Sequence, residues 1–274
     1  MNKAEYAARI LSQPWNLHRL RARSILSNLV GSLLRNERPD EDLFGDPLPK
    51  MQIIGDIALI PLTGVISIDV PAWIKSLGVN LTDALDIEEE INQAVADANV
   101  ERIVFDVNSP GGLALAGELL FEVVEAANRK KPVHAWAGDG RDICSTAYLA
   151  VAGATSLACG YFADAIGSIG TYLAVLDDTE FWALMGMKWE IFRSGEYKGI
   201  GEDALSQAQR DYLQGLVNDH GSRFRKAVAK HRSEIAAADM QGQWFDGKSA
   251  AARGFVGFNA DNLNAAIAKF RRGI

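Results

Sequence analysis

The sequence has few of the residues that announce a function directly. Only two cysteines, Cys144 and Cys159, stand in 274 residues. That is too few for a disulfide framework and points to a reducing compartment. No HExxH or CxxC pattern offers a metal centre, so neither a metal nor a cofactor is expected. No apolar run approaches the length needed to cross a bilayer. Residues 1–13 alternate charged and apolar positions and lack the apolar core of a secretion signal. A soluble, cytoplasmic protein is the expectation. Positive charge is not in excess: the net charge is −7, so nucleic acid is not an expected partner. The four histidines, His18, His134, His220 and His231, read as structural or solvated, because none follows a candidate nucleophile in a turn.

What is present is an ordinary globular balance, 48% hydrophobic and 23% charged, enough for one large α/β domain or two small ones. Residues 1–36 read as an amphipathic helical extension. Leu26, Leu29, Val30, Leu33 and Leu34 form one apolar stripe, and Arg19, Arg21, Arg23 and Arg35 make the segment basic. Residues 37–50, with Pro39, Pro47 and Pro49 among acidic residues, read as a linker. The compact domain is expected over 51–274. There, strands at 57–60, 103–107, 133–137, 156–158, 172–175 and 189–192 alternate with helices at 82–98, 114–129, 178–185, 206–237, 247–253 and 260–271, with another beginning near Ser145. Such alternation implies parallel βαβ units, which place functional residues at the carboxyl ends of strands.

Four segments can carry chemistry. Asn108-Ser109-Pro110-Gly111-Gly112 follows an apolar strand and precedes a helix. Its glycines permit close backbone approach, and adjacent amides there can bind an anion. In acyl transfer that anion is the tetrahedral oxyanion, which makes Gly111 and Gly112 candidate donors; a plain strand-to-helix turn explains the same residues. The lysine and hydroxyl pair of a Walker A loop is missing. Ser145 heads an apolar helix, either as an ordinary N-cap or as a nucleophile beside the glycines, with the Thr146 N–H as a further oxyanion donor. Cys144 is the rival nucleophile, or a small buried filler. Lys198 lies in the loop Ser194-Gly195-Glu196-Tyr197-Lys198-Gly199. Loop lysines are mostly solvated charges. To act as a base this one must be neutral, shielded from water and unpaired from Glu196.

Together, Asn108-Ser109-Pro110-Gly111-Gly112, Ser145-x-Ala147-Tyr148-x-x-Ala150, Gly167-Ser168-Ile169-Gly170, Gly195-x-Tyr197-Lys198 and the late Phe245-Asp246-Gly247-Lys248 to Gly254-Phe255-Val256 resemble the signal peptide peptidase A family of serine proteases. The chain looks most like that family's phage head-maturation branch. The small residue that usually flanks the serine is replaced by Thr146.

The resemblance implies a Clp protease/crotonase-type α/β fold, a ββα superhelix, behind the N-terminal helical extension. It also implies a catalytic dyad of Ser145 with Lys198 as base, and a homo-oligomer. The expected substrates are extended protein or peptide segments, among them capsid, scaffold or portal proteins, with the N-terminal helix as a further contact to capsid partners. Rival expectations are a soluble quality-control protease, a crotonase-type acyl-CoA enzyme using the same amides, and an inactive assembly module.

Overall fold

The structure is a computed structural model that describes residues 15–17, 50–75 and 80–273. The expected N-terminal helix and linker otherwise lie outside the described residues. Within that stretch one correction stands: Trp15–Leu17 is a strand, β1, and not part of a helix. Pro14 precedes it, and a proline interior to a helix removes a hydrogen bond and clashes with the preceding turn.

The body opens with β2 (Gln52–Ile54), β3 (Ile57–Ser67), the single turn α1 (Ala72–Lys75) and β4 (Leu81–Asp83). Helix α2 (Ala84–Ala96) follows. It is capped by Asp83, whose carboxylate accepts from Leu85 N. The Asp83 carboxylate also accepts from the Asp69 and Val70 amides, which ties the loop after β3 to the helix start. Ile87, Ile91 and Ala94 turn to the core from one face of α2.

β5 (Arg102–Leu113) runs six residues past the expected strand end at Val107, straight through Pro110-Gly111-Gly112. The reason is steric. A Cβ on Gly112 would stand 1.8 Å from the Ile66 carbonyl oxygen, so glycine lets β5 stay paired with β3 at Val65–Gly111 and Ile66–Gly112. α3 (Ala114–Asn128) then packs Leu120, Phe121 and Val124 inward.

β6 (Val133–Ala137), β7 (Asp142–Cys144), α4 (Thr146–Val151), β8 (Ser156–Cys159) and β9 (Ala165–Gly167) complete the central part. One branch of the sheet runs from β3 through β5, β6 and β8. A second leaves β5 through β7, β9 and β10 (Trp244–Phe245). β5 belongs to both. Along one edge it pairs with β6 at Ile103–Asp106, with β7 at Ser109, and with β1 at Gly111–Leu113. Repeated strand–strand–helix units, β3–β4–α2 and β6–β7–α4, give the Clp protease/crotonase type of fold.

Between β9 and the long helix α6 (Gln207–His231) the chain makes an arm, residues 171–205, in which no residue is buried. It contains the short helix α5 (Thr179–Leu184). The strands expected at 172–175 and 189–192 do not form. Tyr172 makes only an isolated bridge, residues 189–192 pair with no strand among the described residues, and Trp189 and Phe192 are exposed. α6 starts on a reciprocal Ser206–Gln209 capping box. It is held to α3 by His220 and Arg223 on Glu118 and by Lys230 and His231 on Glu125. α7 (Gly247–Ala252), β11 (Phe258–Asn259) and α8 (Leu263–Phe270) close the chain. Among the described residues, no helix is long and apolar enough to cross a membrane.

Candidate active site

Ser145 occupies the one-residue turn between β7 and α4. Its φ of 56° and ψ of −118° lie outside the regions open to an ordinary L-residue. Such a conformation costs on the order of 1–3 kcal/mol and persists only where the surroundings enforce it. Here they do. The Ser145 amide donates to the Gly167 carbonyl at 2.8 Å, and its own carbonyl accepts from Leu149 N at 2.9 Å. The sharp strand-to-helix turn has the form of a nucleophile elbow. Its hydroxyl is buried and has no hydrogen-bond partner among the described residues. Buried hydroxyls are normally paired, so an orphan asks for an explanation.

The glycine strand lies beside it. β7 pairs with β5 through Ile143 and Ser109, so the residue two after Ile143 comes level with the start of Pro110-Gly111-Gly112. Thr146 fastens the two together: its Oγ1 lies 3.0 Å from the Gly112 carbonyl and 3.1 Å from that of Leu113. As the first residue of α4, Thr146 also has an amide with no acceptor within its helix. The glycines sit in a strand and not in the helix-terminal turn expected of them. Gly111 still needs its freedom, with φ at 107°. Its amide donates to Ser109 Oγ at 3.2 Å, while that hydroxyl donates to the Gly64 carbonyl at 2.6 Å. Ser109, to which sequence reasoning assigned no role, thus ties the Gly111 amide to the Gly64 carbonyl. Its place directly before Pro-Gly-Gly was the available signal.

The remaining motifs form the wall behind the serine. Gly167 supplies the carbonyl that holds Ser145, and Ser168 N donates to Gln243 O at 2.6 Å. The Tyr148 hydroxyl donates to the Phe255 carbonyl at 2.8 Å. This buried bond joins the serine helix to the late Phe255-Val256 segment. Burial raises the Tyr148 pKa well above the ordinary phenol range. Cys144 is buried, with Sγ 3.3 Å from the Ala165 carbonyl. Burial also pushes the Cys159 thiol up to about 12, which suits an inert filler. His134 is buried and stacked on Phe270; burial, helped by Arg102, lowers its pKa to about 4. No group of acidic, histidine and cysteine side chains suited to a metal exists among the described residues.

Lys198 departs from expectation. It sits in a turn of the arm, as the glycines around it suggest, but it is exposed rather than shielded. The arm touches the body beside Lys198, with Tyr197 against Tyr212 and the Glu196 carbonyl accepting from Gln209 Nε2 at 2.9 Å, but these contacts bury none of its residues, Lys198 included. No hydrogen bond joins Lys198 to Ser145, and no ion pair joins it to Glu196, among the described residues. Within one chain the structure brings together Ser145, Thr146, Gly111 and Gly112, and leaves Lys198 apart from them.

The sequence model of peptidase family S49 matches residues 125–272. The chain belongs to peptidase family S49. This is the signal peptide peptidase A family, and the matched span contains Ser145, Thr146 and Lys198, with the glycine strand upstream of it. The S49 chain is similar to MJ0651 of Methanocaldococcus jannaschii, named provisionally as a protease, at 31% identity over 56% of this chain and 46% of that one. It is also similar to the head-tail preconnector protein GP5 of Enterobacteria phage P21, at 27% identity over 77% of this chain and 42% of that one. It therefore spans less than half the length of these curated relatives. Among solved structures, ClpP1 of Listeria monocytogenes shares the fold, with a TM-score of 0.50 and 12% identity over 76% of this chain and 93% of that one.

Proposed function

We propose that this S49 chain is a serine endopeptidase with Ser145 as nucleophile and Lys198 as general base. The observation that carries the reading is Ser145 itself: a strained turn residue beside a glycine strand, its buried hydroxyl without a partner among the described residues. In the proposed reaction Lys198 Nζ takes the Oγ proton as Oγ bonds to the scissile carbonyl carbon. The oxyanion is held by the amides of Gly112 and Thr146, and by that of Gly111 once it leaves Ser109. Collapse breaks the C–N bond, and Lys198 returns the proton to the leaving amine. Water, deprotonated by Lys198, then releases the acyl group.

An exposed Lys198 cannot do this alone, because a solvated ammonium stays charged. We infer a homo-oligomer in which the arm seats on a neighbouring copy and shields Lys198. Leu176, Leu184 and Phe192 on the arm are 80%, 88% and 93% exposed, and apolar side chains displayed together favour burial against a partner. The relative named as a phage head-tail preconnector favours capsid-assembly proteins as substrates, cleaved in extended segments. The test is cleavage of an unfolded substrate by wild type, Ser145→Ala and Lys198→Ala. Both variants should fold and be inactive, and full activity in Lys198→Ala would remove the dyad.

A further inference from the structure

We propose that the chain carries its own occupant of the substrate groove: strand β1, Trp15–Leu17, lies along the glycine strand as a resident pseudosubstrate and must leave before a substrate can enter. The inference rests on Ser145 being the nucleophile.

The argument comes from register. One edge of β5 is taken in turn by β6 at Ile103–Asp106, by β7 at Ser109 and by β1 at Gly111–Leu113. Ser145 follows β7 directly, so it falls between the β7 and β1 positions on that edge. β1 is antiparallel to β5, with Trp15 opposite Leu113, Asn16 opposite Gly112 and Leu17 opposite Gly111. It also lies against α4, the helix that Ser145 heads. An extended peptide that adds to a sheet edge is held by main-chain bonds whatever its side chains. The three residues of β1 make this kind of contact with the segment assigned to the oxyanion.

A second, independent observation agrees. Ser145, Gly111 and Gly112 are all buried, and the Ser145 hydroxyl is cut off from water with no partner among the described residues. A nucleophile that meets a scissile carbonyl needs an open approach, which this arrangement denies. Pro14, immediately before the strand in sequence, has no amide N–H to donate to a neighbouring strand.

The test uses the full chain. Asn16→Pro/Leu17→Pro removes two adjacent amides, one of which must face β5 in any antiparallel register. A triple glycine replacement of residues 15–17 is the milder second variant. Two readouts are taken. The first is the rate at which a fluorophosphonate labels Ser145. The second is binding of a fluorescent peptide of residues 11–21, by anisotropy, to chains that also carry Ser145→Ala. If β1 is seated nine-tenths of the time, emptying the groove raises labelling and peptide affinity by about tenfold. The peptide should also slow labelling of the emptied chain.

Equal labelling and equal peptide binding with and without β1 would overturn the inference. If no chain is labelled but the peptide binds the emptied chains more tightly, the groove and its occupant stand and the nucleophile assignment falls. If labelling is brisk and unchanged while the peptide fails to bind, the nucleophile stands and the occupant falls.

Discussion

Thr146 Oγ1 lies 3.0 Å from the Gly112 carbonyl oxygen. This bond, alternating with the one to Leu113, links the helix that carries the serine to the strand that carries the glycines. Thr146→Val keeps the shape and deletes the hydroxyl, leaving buried carbonyls unpaired. The expected cost is about 1–3 kcal/mol in urea unfolding. Cleavage should fall further than stability does, and Thr146→Ser should restore both. Activity that tracks stability alone in both variants would deny the link a positioning role.

Ser145 stores backbone strain at its positive φ. Glycine adopts positive φ freely, and Ser145→Gly also removes a buried unpaired hydroxyl. We expect this variant to be inactive and more stable than wild type by roughly 1–2 kcal/mol, read as a raised denaturation midpoint with an unchanged slope. A drop in stability would mean that the hydroxyl has a partner in solution.

Gly112 tests the approach of β5 to β3. A Cβ there would meet Ile66 backbone, which cannot swing aside as a side chain could. Gly112→Ala is expected to cost roughly 3 kcal/mol or more. Gly140→Ala is the control: its φ is positive, but nothing lies within 4 Å of the added atom, so about 1 kcal/mol is expected. Similar midpoints for the two would contradict the close approach.

The exposed arm yields a test in solution. Phe192→Asp and Leu184→Asp should leave the unfolding midpoint of the isolated chain unchanged while reducing the sedimentation coefficient and abolishing cleavage. If the arm supplies Lys198 to a neighbour, mixing inactive Ser145→Ala with inactive Lys198→Ala should restore activity. No recovery after subunit exchange would confine the dyad to one chain.

His134 makes stability depend on pH. Its folded pKa, about 4, lies below the ordinary 6.5. The unfolded chain therefore binds the extra proton between these values, and stability rises with pH across that window. The contribution is present above about pH 6.5 and lost as pH falls toward 4, a change on the order of 3 kcal/mol. His134→Phe should flatten the acid side of the stability profile; an unchanged slope would place the titration elsewhere.

Much of the fold was legible because it rests on local pattern. The strand Val133–Ala137, the helix over 114–128 and the start of α4 at Ser145 follow from apolar runs and their breaks. The short strands β7, β9, β10 and β11 were not legible. Each is two or three residues long, below the length at which periodicity can be read, and each exists only because a neighbouring edge is offered. The strands expected at 172–175 and 189–192 have the composition, but beyond an isolated bridge at Tyr172 they find no strand to pair with among the described residues.

The sequence by itself determined the types and order of the candidate groups: a glycine pair after a strand, a serine at a helix head, a glycine turn and a lysine in a loop. Those depend on residue identity and near neighbours. Tertiary structure alone decided that the glycines lie in a strand pressed on Ile66, and that Thr146 bridges to them. It also decided that Trp15–Leu17 lies along the same edge, and that Lys198 stands in water. Each of these is a contact between residues distant in the chain, set by which edges and surfaces the packed core leaves open. No local pattern encodes that.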